Sequence, residues 1–219
     1  MPGGVISPLL SNILLTPFDR EMRQRGYRLT RYCDDWVVSC ETAQQAKQAL
    51  AAAQNILNEL GVKLHPQKTR IVHVRDGFEF LGYKIKQGAR PLNLAANKIC
   101  SGVKQGALYA YPRQRSIERL MDRVRRLTRR KVPLTTQELI NELNPVIAGW
   151  GRYYRRAHVR RIMNRLDRWI VRRIWSHRYK RWRNAGWKQL PERTLYGEYG
   201  LVNLVGLIPS IAASRSASS

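Results

Sequence analysis

Residues 29–39 read LTRYCDDWVVS and set two aspartates, Asp34 and Asp35, inside a β-branched and aromatic run. Strand interiors disfavour Asp and adjacent like charges repel, so the pair has to be relieved by its position or by a cation. Leu29, Tyr32, Trp36, Val37 and Val38 are strand formers, which predicts two short strands over 28–39 with the acids at the hairpin tip. Two carboxylates held close together suit a hard cation such as Mg2+, and such a pair is half of a two-metal site for phosphoryl transfer. A solvated Asp-Asp turn is the plainer alternative, and spacing by itself leaves both readings open.

Upstream, MPGGVISPLLSNILLTPFDREMRQRG opens with Pro2, Gly3 and Gly4 as a turn and then carries Leu9, Leu10, Ile13, Leu14 and Phe18 at helical spacing. This predicts a loop leading into a helix that stops near Gly26. Downstream, Thr42 with Gln45 fits a capping box, and Ala46, Ala49, Leu50, Ala53, Ile56, Leu57 and Leu60 form an apolar stripe ending at Gly61. Extended pieces follow in VKLHPQKTRIVHV, broken at Pro66, and in FEFLGYKI. Helix, hairpin, helix, strands is the order of an α+β fold, an antiparallel sheet with helices on one face.

Beyond residue 90 the character changes. Residues 91–115 are rich in Gly, Pro and small side chains and read as a linker. Ser116 is placed to cap a helix carrying Ile117, Leu120, Met121, Val124 and Leu127, and a short second helix, Thr136 to Leu143, is expected to end at Asn144 and Pro145. After a turn at Gly149 and Gly151, Val159, Ile162, Met163, Leu166, Trp169, Ile170 and Ile174 share one helical face, with Arg160, Arg161, Arg165, Arg168, Arg172 and Arg173 on the others. The expected organisation is a sheet domain over 1–90, the linker, an α-helical bundle over 116–210 and a disordered tail at 211–219.

Charge narrows the partners. The chain has 40 Lys and Arg against 15 Asp and Glu, a formal net charge of +25 and a pI near 11.0. Residues 1–100 hold 14 basic and 8 acidic residues and the remainder 26 and 7, so the excess sits in the helical half. Such an imbalance points to a polyanion, and nucleic acid is the expected one. Three cysteines without CxxC spacing argue against a disulfide framework or zinc site, and no apolar run is long enough for a membrane span, so the cytoplasm is the expected compartment. His158 and His177 lack metal-ligand spacing and read as helix-surface residues, and no helix-turn-helix supports a DNA-binding regulator.

The order of several segments adds a resemblance. Tyr32, Cys33, Asp34 and Asp35 resemble the YxDD motif of reverse transcriptases. PGGVISPLLSNILL is similar to the PQGGVISPLLSNIYL segment of group II intron reverse transcriptases, LGVKLHPQKTRIV to the motif after their palm helix, and FEFLGY to their primer grip. LNPVIAGWGRYYRRAH and the Trp- and Arg-rich stretch after it resemble the maturase, or thumb, domain of that family. The four ordered palm matches make the likeness specific, and with the maturase stretch it covers nearly the whole chain.

The resemblance implies a partial polymerase palm followed by a maturase bundle, RNA-directed DNA polymerase activity in the complete family enzyme, two Mg2+ ions, and intron RNA and an RNA/DNA primer-template as partners. It implies that Asp34 and Asp35 are the metal-binding and catalytic carboxylates; that Gly3, Gly4, Ser7, Pro8 and Lys68 serve the template and nucleotide; and that Phe80, Leu81, Gly82 and Tyr83 press on the primer. Arg152, Tyr153, Tyr154, Arg155 and Arg156 are the expected RNA contacts, aromatic rings stacking on bases while guanidinium groups meet phosphates. The family's palm takes another aspartate, and its fingers, from upstream, whereas this sequence starts inside the PQGG motif, with Pro2 in the Gln position. The expectation is therefore a C-terminal part that polymerises nothing alone. It would act as an RNA-binding maturase module, or with a complementing N-terminal fragment or a second copy.

Overall fold

The computed structural model describes residues 7–88, 107–180 and 188–209, and the chain divides into two compact units, residues 1–108 and 109–219. The first is α+β. Helix α1 spans Ser7–Gln24, strands β1 (Arg28–Tyr32) and β2 (Asp35–Ser39) follow, then helix α2 (Ala43–Glu59), and strands β3 (Phe78–Phe80) and β4 (Tyr83–Gln87) form a second hairpin. Both pairs are antiparallel, with Tyr32 opposite Asp35 and Phe80 opposite Tyr83, so each hairpin turns on two residues.

Local chemistry explains where these elements stop. Thr42 accepts the Gln45 amide at 3.1 Å, while the Gln45 side chain reaches back to the Glu41 amide at 2.8 Å. At the other end of α2, Gly61 has φ +72°, its N–H donates to Asn58 and the Val62 N–H to Leu57, a Schellman closure. The end of α1 repeats it, with Gly26 at φ +81° and N–H groups of Gly26 and Tyr27 donating to Arg23 and Met22.

The core of this unit lies between α1, β1 and α2. Phe18, Met22, Ala53, Ile56 and Leu57 are almost wholly buried, and the Phe18 ring meets Trp36 at 5.4 Å. The helix expected over the α1 stretch forms, but its buried side is Leu15, Phe18 and Met22, while Leu9, Leu10, Ile13 and Leu14 are 47–64% exposed. The sequence carries apolar residues on two faces of α1, and packing against α2 selects only one. Residues 62–77, expected to include extended pieces, form no regular strand and carry turns at 66–68 and 74–76.

Strand β5 (Leu108–Pro112) begins at the division, and a helical bundle follows: α3 (Gln114–Leu127), α4 (Thr136–Tyr154), α5 (Arg160–Tyr179), a short α6 (Glu192–Gly197) and a 3-10 turn at Val205–Leu207. Ile117, Leu120 and Val124 of α3 pack with Leu139, Ile140, Leu143 and Ile147 of α4 and Met163, Leu166, Ile170 and Ile174 of α5. Full burial of each such side chain contributes about 1.5–3 kcal/mol, so this apolar seam holds the bundle despite its basic surface.

Three boundaries differ from expectation. Ser116 lies inside α3, where its hydroxyl oxygen accepts from the Trp150 indole and the Tyr154 hydroxyl; Arg113 is the residue before the helix. Helix α4 continues through Pro145 instead of ending there, and Thr135 supplies the capping box with Glu138 at its start. Asn144 ties α4 to a distant segment, donating to the Gly200 carbonyl and accepting from the Val202 amide, both at 2.9 Å. Gly149 and Gly151 are helical, and the break falls at 155–159. Most of the expected linker and the whole tail at 211–219 lie outside the described residues.

Candidate metal hairpin and nucleic-acid interface

The two-residue loop of the first hairpin is Cys33 and Asp34. Cys33 takes φ +55° and Asp34 a negative φ, the II′ arrangement that matches strand twist but ordinarily asks for glycine at the first position. Asp34 therefore stands in the turn, Asp35 starts β2, and both carboxylates are exposed. Solvent at the tip is what makes two adjacent charges tolerable in a chain segment otherwise built for a sheet.

Arg31 braces this tip from below. Its guanidinium donates to both carboxylate oxygens of Asp19 on α1, at 2.7 and 2.6 Å, to the Asn12 side-chain oxygen at 3.0 Å and to the Cys33 carbonyl at 2.7 Å. One side chain thus ties the helix to the turn residue preceding Asp34. The paired Asp19 carboxylate outweighs burial and raises the Arg31 pKa, so the cation is secure. Sequence reasoning missed Arg31, Asp19 and Asn12. Their signal is an Asp and an Arg twelve residues apart, with no local rule to join them.

All fifteen Asp and Glu residues of the chain fall among the described residues. Among those residues no group of three His, Cys, Asp or Glu side chains is positioned to hold a metal. The donor chemistry of Asp34 and Asp35 suits Mg2+, which binds through one or two carboxylates completed by water and phosphate oxygens, but the pair supplies only part of a two-metal site.

The second hairpin turns on Leu81 (φ +47°) and Gly82 (φ +77°), a I′ turn, with Phe80 and Tyr83 facing across it, all four partly buried. Strands β2 and β3 lie beside one another, so the DD hairpin and the FLGY hairpin are neighbours. Lys68 is exposed in a turn at 66–68, whose Lys68 and Thr69 amides donate to the His65 carbonyl. Pro8 is exposed in the first turn of α1; Gly3, Gly4 and the Ser7 side chain lie outside the described residues.

In the second unit, Arg152, Tyr153, Arg155 and Arg156 are exposed at the end of α4. Tyr154 is not. It is 4% exposed, hydrogen-bonded to Ser116 at 2.9 Å and packed on Trp150 and Tyr153 at 4.8 Å, which removes its ring from stacking on a base. His177 is also buried, against expectation, and its Nε2 donates to the Val132 carbonyl at 2.9 Å. His158 sits between α4 and α5, where its Nδ1 accepts the Ala110 amide at 3.3 Å. Trp169 is partly covered by the Arg125 guanidinium, 5.6 Å from its ring centre, while Trp175 is buried and donates to the Leu190 carbonyl at 2.8 Å. Trp182 and Trp187 lie outside the described residues.

Comparison with known proteins agrees with this division. The family model described as reverse transcriptase (RNA-dependent DNA polymerase) matches residues 1–85, and that described as group II intron, maturase-specific domain matches residues 117–196. The chain is also similar to Protein YkfC of Escherichia coli strain K12, 30% identical over 118 residues. That match takes in 38% of this chain and 31% of the relative, so the chain spans about a third of the relative's length. No helix among the described residues is long and apolar enough to cross a membrane.

Proposed function

The chain belongs to the group II intron reverse transcriptase and maturase family, and from that premise we propose that it contributes the metal-binding hairpin and the RNA-gripping thumb to RNA-templated DNA synthesis and intron folding. The observation that carries this reading is the braced hairpin: Arg31 holds the turn to α1 while Asp34 and Asp35 project from it. Members of the reverse transcriptase family use Mg2+, and here Asp34 and Asp35 would hold it, Asp34 as the more direct ligand. Bound there, the ion would neutralise charge building on a phosphoryl group. Gly82 lets the neighbouring FLGY turn close tightly enough to offer backbone to a primer, and Lys68 offers a cation to phosphate.

A second reading, an RNA-binding module without catalysis by these 219 residues, is favoured by the two-carboxylate site. Primer extension on an RNA template with Mg2+ separates the two. The 219-residue chain alone should bind the RNA and extend nothing, and extension should appear when a polypeptide carrying palm and fingers segments is supplied, then vanish with Asp34→Ala. Extension that survives Asp34→Ala with Asp35→Ala would defeat the assignment of these carboxylates. Absence of RNA binding would defeat the family role of the second unit.

A further inference from the structure

The carbonyl groups that end α3, and those of the turn after it, point at α5. The Arg173 guanidinium donates to the Arg125 carbonyl at 3.3 Å, to the Thr128 carbonyl at 3.1 Å and to the Thr128 hydroxyl oxygen at 2.8 Å. The Thr128 hydroxyl in turn donates to the Val124 carbonyl at 2.8 Å. One turn further along α5, His177 donates to the Val132 carbonyl, and Lys180 donates to the Arg130 carbonyl. Arg173 and His177 share one face of α5 and Lys180 follows at its C-terminal end, so donors from one end of α5 clamp residues 125–132.

This inverts the usual electrostatics. A helix C-terminus is the negative end of its dipole, with unpaired carbonyls that repel anions. Here Arg173 meets the Arg125 and Thr128 carbonyls at the end of α3, Lys180 and the His177 imidazole N–H meet the Arg130 and Val132 carbonyls just beyond it, and the exposed side chains of the same stretch include Arg126, Arg129, Arg130 and Lys131. The carboxylate paired at this end is Asp122, which lies 2.6 Å from Arg125. Burial, followed by repulsion from Arg125 and Arg130, holds the Arg173 guanidinium below its ordinary pKa, so these cations stand close enough to feel one another. Repelling cations fixed on a rigid turn favour a ligand with closely spaced negative charges.

We propose that the α3–α4 turn is a phosphate-gripping corner for the RNA backbone, with Arg126, Arg129, Arg130 and Lys131 as its contacts and Arg173, His177 and Lys180 as positioning residues. The proposal rests on the RNA-binding reading of the second unit and gives it a second site, apart from the exposed cations at Arg152, Arg155 and Arg156. Arg173 looks like another phosphate contact in the sequence, yet its guanidinium is committed to backbone.

The test is the salt dependence of binding to a fluorescent RNA hairpin by the full chain. Each phosphate contact adds about 0.7–0.9 to the slope of log affinity against log salt, so Arg129→Ala with Arg130→Ala and Lys131→Ala should lower the slope by about 2–3. Arg173→Met should lower it by more than the ~1 its own charge could supply, and should add nothing in the triple background. If Arg173→Met does not fold, Lys180→Met takes its place with the same expected non-additivity. Loss of about one unit in both backgrounds would make the residue a direct contact and overturn the positioning role. An unchanged slope in the triple variant, beside a reduced one for Arg152→Ala with Arg155→Ala and Arg156→Ala, would overturn the corner while leaving RNA binding intact. A wild-type chain with no salt-dependent RNA affinity would overturn both, and equal competition by polyglutamate would overturn the choice of phosphate.

Discussion

Removing Asp19 should loosen the hairpin that bears Asp34 and Asp35 without unfolding the rest of its unit. The Arg31–Asp19 pair is bidentate, with the Arg31 side chain 9% exposed and that of Asp19 20% exposed. Breaking a fully buried pair costs about 3–5 kcal/mol because it strands a charge, whereas exposed pairs contribute about 0–1 kcal/mol. In Asp19→Ala the stranded guanidinium still donates to Asn12 and to the Cys33 carbonyl, and water reaches the site, so an intermediate cost of about 2–3 kcal/mol is expected. At 1.36 kcal/mol per decade that is about 30- to 160-fold less protection. Hydrogen exchange of peptides covering 28–39 reads it directly, with Ala52–Leu57 of α2 as the internal reference. The control is Glu21→Ala, whose partner Arg25 is 48% exposed, and there the change should stay below about threefold. Protection within threefold of wild type in Asp19→Ala would refute the claim that this ion pair holds the hairpin to α1.

Cys33→Gly should stabilise the first unit by up to about 1 kcal/mol in urea titration, since glycine adopts φ +55° without the side-chain clash while adding some unfolded-state entropy. Gly151→Ala should destabilise the bundle by about 1–3 kcal/mol in thermal melts, because a Cβ there would stand 2.6 Å from Leu207 Cδ1 and 2.7 Å from Leu204 Cδ2. Asp167→Ala should cost about 2 kcal/mol by orphaning the Leu204 and Val205 amides that its carboxylate accepts at 2.9 and 3.1 Å. Burial raises the Asp167 carboxyl above its ordinary range despite those two bonds, so the folded state holds this proton more tightly than the unfolded one. The contribution of Asp167 is then fullest below the unfolded pKa and declines as pH rises toward the higher folded value, so the stability gap between wild type and Asp167→Ala should shrink as pH rises above the ordinary carboxylate range. A gap that widens over that rise would contradict the sign.

Elements with local rules were readable in advance. The DD hairpin followed from strand formers around two turn residues, α2 from its cap, its apolar period and Gly61, and the basic bundle from Arg interleaved with apolar residues. The family's motifs singled out Asp34, Asp35 and the FLGY stretch, while the tight turn at Leu81 and Gly82 came from the structure. Pro145 misled because proline inside a helix is costly, yet α4 runs on to Tyr154, with its Leu139, Ile140, Leu143 and Ile147 side chains in the core and Asn144 bound to residues 200–202. Tyr154 and His177 misled in the same manner, since Tyr in an Arg-rich run and His at a helix end look exposed until their partners, Ser116 and Val132, are brought across from other elements.

The sequence by itself determined the family, the order of elements, the hairpin that carries the acids and the excess of positive charge, because each depends on composition or on neighbours a few residues apart. The tertiary structure decided which apolar face of α1 is buried, that Arg31 reaches across to Asp19 to steady the tip bearing Asp34, and which cations are committed to backbone and which meet solvent. The physical reason is common to all three. A charge or an apolar face acquires its role from the partner that desolvates it, and those partners lie on other elements, where spacing along the chain carries no information.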